Sequence, residues 1–151
     1  MIKAHKLFAS CFGIGSTKGG GTVAAAITAA IWWLLVHNSG NNIPLFITSL
    51  ITALGVWSSF EVEPYWGKDS SRVVIDEVAG MCVSLLFVPV TGVNVLAALL
   101  LFRFFDIVKP LFIRRVEVLP GGWGVMMDDV LAGVYSNIVL QVLIHYNVLK
   151  G

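Results

Sequence analysis

"TVAAAITAAIWWLLVHNSGNNIPLFITSLITALGVWSSF", residues 22–60, holds no Asp, Glu, Lys or Arg. Two apolar runs, Thr22–His37 and Ile43–Phe60, flank the polar stretch NSGNN. Uncharged runs of this length predict helices that cross a bilayer, and the short polar turn between them predicts an antiparallel hairpin. The composition agrees: 57% of the 151 residues are hydrophobic and 13% are charged, with a mean hydropathy of +0.85. So apolar a chain belongs in a membrane. No Pro/Ser-rich linker divides it, which predicts a single domain over residues 1–151.

Downstream, EVEPYWGKDSSR (Glu61–Arg72) is too polar for hydrocarbon and predicts a loop. Val78–Val90 and Val93–Phe105 form a second apolar pair, split by the turn signal PVTG. Each is short for a full span, and reaches that length only if the first begins near Ser71 and the second continues to Lys109. A last apolar segment, Val130–Tyr146, follows the loop RRVEVLPGGWG. The expectation is therefore all-α: an integral membrane bundle of about five helices. Lys3 and Lys6 stand near the start, but the glycine-rich Gly13–Gly21 interrupts any apolar core, so no cleavable signal peptide is expected.

Threading five helices back and forth puts the turns near residues 37–42 and 89–92 on one side, together with the C-terminus. Of all the charged residues only Lys150 falls there, so nine of the ten Lys/Arg share the opposite face, which the positive-inside rule makes cytoplasmic. That rule does not explain why Asp76, Glu77, Asp106, Asp128 and Asp129 share the same face beside apolar runs. In LFRFFDIVKPLF (Leu101–Phe112), Arg103, Asp106 and Lys109 recur at intervals of three, on roughly one helical face. Antiparallel threading brings them beside Asp76 and Glu77 on one neighbour and Asp128 and Asp129 on the other. Ionisable groups near lipid are expensive unless paired or metal-bound, so such a cluster points to function. A mutual salt-bridge lock between helices would also gather acids and bases, but it leaves a surplus of carboxylates unbalanced.

Two glycine loops lie on the same face. GGWG (Gly121–Gly124) runs into MMDD, where backbone N–H groups beside a helix N-terminus suit an anion. IGSTKGGGT (Ile14–Thr22) repeats the arrangement with Lys18, although its spacing is not that of a P-loop. Carboxylates, cations and amide nests together are what Mg²⁺-assisted phosphoryl transfer requires.

IDEVAGM (Ile75–Met81), FRFFDIVKP (Phe102–Pro110) and GGWGVMMDDVLAGV (Gly121–Val134), in this order, resemble the phosphatidylglycerophosphatase A family. The N-terminal part departs from the family pattern, with KGGGTVAA in place of a PGTxGS-like stretch. The resemblance implies a Mg²⁺-dependent bacterial inner-membrane enzyme, multi-pass and with its site facing the cytoplasm, that removes the terminal phosphate of phosphatidylglycerol phosphate. It implies catalytic roles for Asp76, Glu77, Arg103, Asp106, Lys109, Asp128 and Asp129. The metal is then expected among Glu77, Asp106, Asp128 and Asp129, and the phosphate among Lys18, Thr22, Arg103, Lys109, Gly121 and Gly122. The expected partners are that lipid and the surrounding membrane, with a homo-oligomer allowed and no nucleic acid.

Other chemistries fit less well. Neither Cys11 nor Cys82 has an arginine at the spacing of a cysteine phosphatase, His5, His37 and His145 lie outside the charge clusters, and no DxDxT motif is present. Attack by metal-activated water or by one of the carboxylates remains. A small ion- or proton-coupled carrier is the alternative, but a carrier needs ionisable groups near the midplane, and these gather at one face. Trp32, Trp33, Trp57, Tyr65 and Trp66 read as interfacial anchors, and Trp123 as a residue bordering lipid entry. Ala25, Ala29, Gly80 and Ser84 predict close helix packing.

Overall fold

The computed structural model describes residues 1–36, 40 and 42–149. Among them every regular element is helical: α1 (Ile2–Ala9), α2 (Gly20–Leu35), α3 (Asn42–Trp66), α4 (Ile75–Leu85), α5 (Gly92–Val108), α6 (Ile113–Val116) and α7 (Gly122–His145), with a 3₁₀ turn at Ile14–Ser16 before α2. Most of the NSGNN turn, His37 and Lys150 lie outside the described residues.

The long elements follow the apolar runs, but their ends differ from the sequence reading for physical reasons. Helix α3 does not stop at Phe60. It continues through Glu61–Trp66, because Val62 is buried beneath α1 while Glu61 and Tyr65 face outward, so the polar stretch is one side of a helix rather than a loop. Helix α1 was not expected at all. His5 meets Ser58 at 3.3 Å just before that added length of α3, and the Lys6 ammonium lies 4.5 Å from the centroid of the Tyr65 ring within it, fastening α1 along α3. Helix α7 begins at Gly122 rather than Val130. A Cβ on Gly122 would overlap the Val56 carbonyl oxygen, so only glycine lets this first turn seat on α3.

Helix α4 is the short member. Its 11 residues rise about 16 Å, roughly half a bilayer core, and it starts at Ile75 rather than near Ser71. Its end is capped from α7: Asn137 Nδ2 donates to the carbonyls of Val83, Ser84 and Leu86 at 3.3, 3.0 and 2.8 Å, satisfying oxygens that the terminated helix leaves free. Among the described residues two helices, α3 and α7, are long and apolar enough to cross a membrane, whereas α2 is apolar but shorter.

Helices α4, α5 and α7 meet at a glycine crossing. A Cβ on Gly133 would overlap the Gly80 carbonyl oxygen, and one on Gly80 would come within 2.6 Å of the Asp129 carbonyl and 2.5 Å of the Phe102 ring. Asp76 lies four residues before Gly80, and Asp129 lies four before Gly133. Both carboxylates therefore project one turn from the crossing, at the same end of the bundle. Ala25, Ala29, Met81, Leu85, Phe102 and Leu140 fill the core behind it. The outward faces carry exposed Leu34, Phe46, Leu100 and Ile138.

Candidate active site

Asp76 and Glu77 occupy the first turn of α4, where the helix dipole favours negative charge. The Asp76 carboxylate accepts the Glu77 backbone N–H at 3.1 Å. Asp129 reaches them from α7, and one oxygen from each of Asp76, Glu77 and Asp129 lies within 4.8 Å of the others. Asp76 and Glu77 are half-buried and Asp129 is buried. Three anions at this spacing repel one another. Among the described residues Glu77 Oε2 and Asp129 Oδ2 are buried without a hydrogen-bond partner. Hard oxygen donors gathered this closely, two of them with an orphaned oxygen, fit a divalent cation such as Mg²⁺. Helix α2 presses on the same group, since a Cβ on Gly21 would overlap Glu77 Oε1.

The acidic pair on α7 is divided. Asp128, about 100° around the helix from Asp129, accepts a bond from Lys109 Nζ at 2.7 Å, and Lys109 also pairs with Glu117 just beyond α6. Lys109 caps α5 in a left-handed conformation, φ 47°, which turns its side chain away from the helix axis and toward α7. Burial works against its ammonium, but the bonds and charges of Asp128 and Glu117 outweigh that and hold it above the usual lysine range. Arg103 pairs with Asp106 along α5, and Asp106 in turn lies close enough to Asp129 for their charges to interact. The Arg103 Nε is buried with no partner among the described residues.

Above the carboxylates opens a cavity of about 560 Å³, walled by residues 15–22, Ser71, Arg72, Glu77 and Arg103. Of the residues expected to hold phosphate, Lys18, Thr22 and Arg103 line it together. Lys109, Gly121 and Gly122 do not. Lys109 is engaged by Asp128 and Glu117, and the two glycines rest on α3, where a Cβ on Gly121 would come within 2.6 Å of the Phe60 ring. Of the residues expected to hold metal, Glu77 and Asp129 stand in the triad with Asp76, while Asp106 and Asp128 face cations. Arg72, Ser71 and Glu117 were not singled out from the sequence. They sit in ordinary-looking charged loops, and only the folded chain brings them to this end of the bundle. Burial, and then the charge of Glu77, push the Cys11 thiol up to about 11, so it stays protonated at neutral pH and is a poor nucleophile.

A basic cavity that meets the carboxylate triad through Glu77 can bind an anionic ester and bring its phosphoryl group to a dication held there. The family profile described as Phosphatidylglycerophosphatase A matches residues 7–144. A Bacteroides thetaiotaomicron protein that carries the provisional name phosphatidylinositol-3-phosphatase is 44% identical over 144 residues, covering 90% of this chain and 91% of that protein. The phosphatidylglycerophosphatase A of Haemophilus influenzae is 38% identical over 123 residues (80% and 74% of the two chains). That of Escherichia coli is 30% identical over 154 residues (97% and 87%). No solved structure matches the chain significantly.

Proposed function

The chain belongs to the phosphatidylglycerophosphatase A family of lipid phosphatases, and from that premise we propose that it hydrolyses the terminal phosphomonoester of phosphatidylglycerol phosphate, yielding phosphatidylglycerol and inorganic phosphate. The observation that carries this reading is the opening of the Asp76–Glu77–Asp129 triad, through Glu77, into a cavity lined by Lys18, Thr22 and Arg103.

In this reading Asp76, Glu77 and Asp129 hold Mg²⁺, which would polarise the phosphoryl oxygens when bound. Arg103, kept in place by Asp106, offers its guanidinium fork to two phosphate oxygens, a geometry that a lysine does not reproduce. Lys18 and the Thr22 hydroxyl supply further donors from the α2 side. Lys109 is a positioning residue that fixes Asp128 and, through Glu117, the connection between α5 and α7. Hydrolysis breaks the P–O bond to the glycerol, forms one to the incoming oxygen, and leaves a proton on the departing glycerol oxygen.

We place the protein in the bacterial inner membrane as a multi-pass bundle with this end toward the cytoplasm. The lengths of α3 and α7, the exposed apolar side chains and the one-sided distribution of Lys/Arg support that placement. A carrier is not favoured, because the acids occupy early turns of α4 and α7 at one end of the bundle. The test is phosphate release by the purified protein from phosphatidylglycerol phosphate in detergent micelles, with Mg²⁺ and then with EDTA. Phosphatidylinositol 3-phosphate is assayed in parallel, because one relative's name points to it. Absence of Mg²⁺-dependent release from phosphatidylglycerol phosphate would overturn the reading.

A further inference from the structure

The cavity holds more positive charge, and more room, than a terminal phosphate needs. At about 560 Å³ it is many times the roughly 30 Å³ that one water occupies, so it admits a whole headgroup rather than a lone phosphoryl group. Its charged lining is Lys18, Arg72 and Arg103 against the single carboxylate of Glu77. Arg103 is already engaged by Asp106, whereas Arg72 makes no ion pair among the described residues.

Arg72 is exposed, but its backbone is held in place. Its carbonyl oxygen is wedged against Gly15, where a Cβ would overlap it. Two residues on, the Val74 N–H donates to the Ala9 carbonyl at 2.9 Å, and the Val73 N–H donates to the Ser70 carbonyl at 2.9 Å. The loop is thus sewn to the α1–α2 connection on one side and closed on itself on the other. The Arg72 guanidinium carbon lies 5.9 Å from the centroid of the Trp66 ring, which restricts its swing at the cavity wall.

We propose that Arg72 forms a second anion subsite, binding the phosphodiester that links the headgroup to diacylglycerol while Arg103 binds the terminal monoester. This rests on the lipid-phosphatase reading above and names which feature of the substrate the rest of the cavity recognises. The substrate has two anionic groups separated by a glycerol, and the cavity lining holds two arginines, Arg72 and Arg103, together with glycines 15 and 19–21. A guanidinium suits the diester because it offers directed donors and keeps its charge at any physiological pH.

The experiment is steady-state kinetics on phosphatidylglycerol phosphate in mixed micelles, comparing wild type with Arg72→Gln, Arg72→Lys and Lys68→Gln. Lys68 is an exposed cation of the same loop that lies outside the cavity. Arg72→Gln is expected to raise KM about tenfold or more with kcat within about twofold, the effect of losing one charge-assisted contact made equally in ground and transition states. Arg72→Lys should recover part of the loss, Lys68→Gln should match wild type, and inhibition by inorganic phosphate should be the same in Arg72→Gln as in wild type. An unchanged KM overturns the subsite. So does an equal effect of Lys68→Gln, which would mean surface charge alone, or a parallel loss of phosphate inhibition, which would put Arg72 on the monoester. Melting temperatures of all variants separate a binding loss from unfolding. If wild type itself releases no phosphate, the lipid-phosphatase reading fails; if wild type is active and Arg72→Gln behaves like it, only the subsite fails.

Discussion

Asp129 is buried beside Asp76 and Glu77 and close to Asp106. Replacing it with Asn keeps its size and removes one of the mutually repelling charges. Without metal, Asp129→Asn should therefore melt at or above the wild-type temperature, because relieving like-charge repulsion offsets the lost carboxylate. With Mg²⁺ the order should reverse, since ligand binding to the folded state raises only the wild-type midpoint. Activity should fall by about 10²-fold or more, the scale of losing a charge aligned with the transition state. Thermal melts with and without EDTA, alongside phosphate release, check all three; a variant that Mg²⁺ stabilises as much as wild type removes Asp129 from the metal site. Arg103→Lys separates phosphate binding from a salt-bridge lock. The ammonium can still pair with Asp106, so the melting temperature should hold, while turnover drops by roughly tenfold to a hundredfold for want of the second directed bond. An unchanged rate with a lowered melting temperature would restore the lock. At this scale the sequence showed which charged residues gather at one end of the bundle more readily than how they are paired. Adjacent Asp128 and Asp129 look equivalent in a string, and only the helical rotation between them sends one to Lys109 and the other to the triad.

Helix-level features were legible where burial and hydrophobicity coincide, and obscure where a polar stretch packs on one side. The apolar cores of α2, α3, α5 and α7 stand out in the sequence. The added turns of α3 and the whole of α1 do not, because Val62 stands between Glu61 and Glu63 and Ala9 is too small a contact to mark a face. The early start of α7 was hidden by its glycines, which read as a loop, yet Gly122 is there for close approach to Val56. The same reasoning makes Gly133 a test of how α4 and α7 set the site. Gly133→Ala puts a methyl into the Gly80 carbonyl, and separating the helices should lower stability by about 1–3 kcal/mol, the usual range for overpacking. It should also pull Asp129 away from Asp76 and Glu77. Activity should therefore drop further than stability alone accounts for, measured as rate per folded molecule in near-native conditions. A rate per folded molecule equal to wild type would mean that the crossing does not set the register of the triad.

The arrangement of the whole molecule follows from where charge is tolerated. The N-terminal ends of α2 and α4 and the C-terminal end of α5 converge on one cavity, so the chain must place residues 1–19, 67–74 and 109–121 on the same side of the bundle. Those segments hold most of the Lys/Arg, and this is the ground, through the positive-inside rule, for proposing that this side faces the cytoplasm. Helix α4 does not weaken the argument by being short. Its freed carbonyls are met by Asn137 inside the protein rather than by water, which is the condition for a helix to end at membrane depth. From α4 the chain reaches the far side through Leu86–Thr91, and α5 begins with Thr91 as its cap, Oγ1 accepting the Asn94 N–H at 3.2 Å. Helix α7 then runs away from the cavity, so the end of the chain should lie opposite the site. A reporter active only outside the cytoplasm should work when fused after Gly151 and should fail when inserted at Lys68, in the exposed loop beside the cavity. The reverse pattern would invert the topology and put the site on the periplasmic face, and activity in both fusions would mean that α7 does not cross.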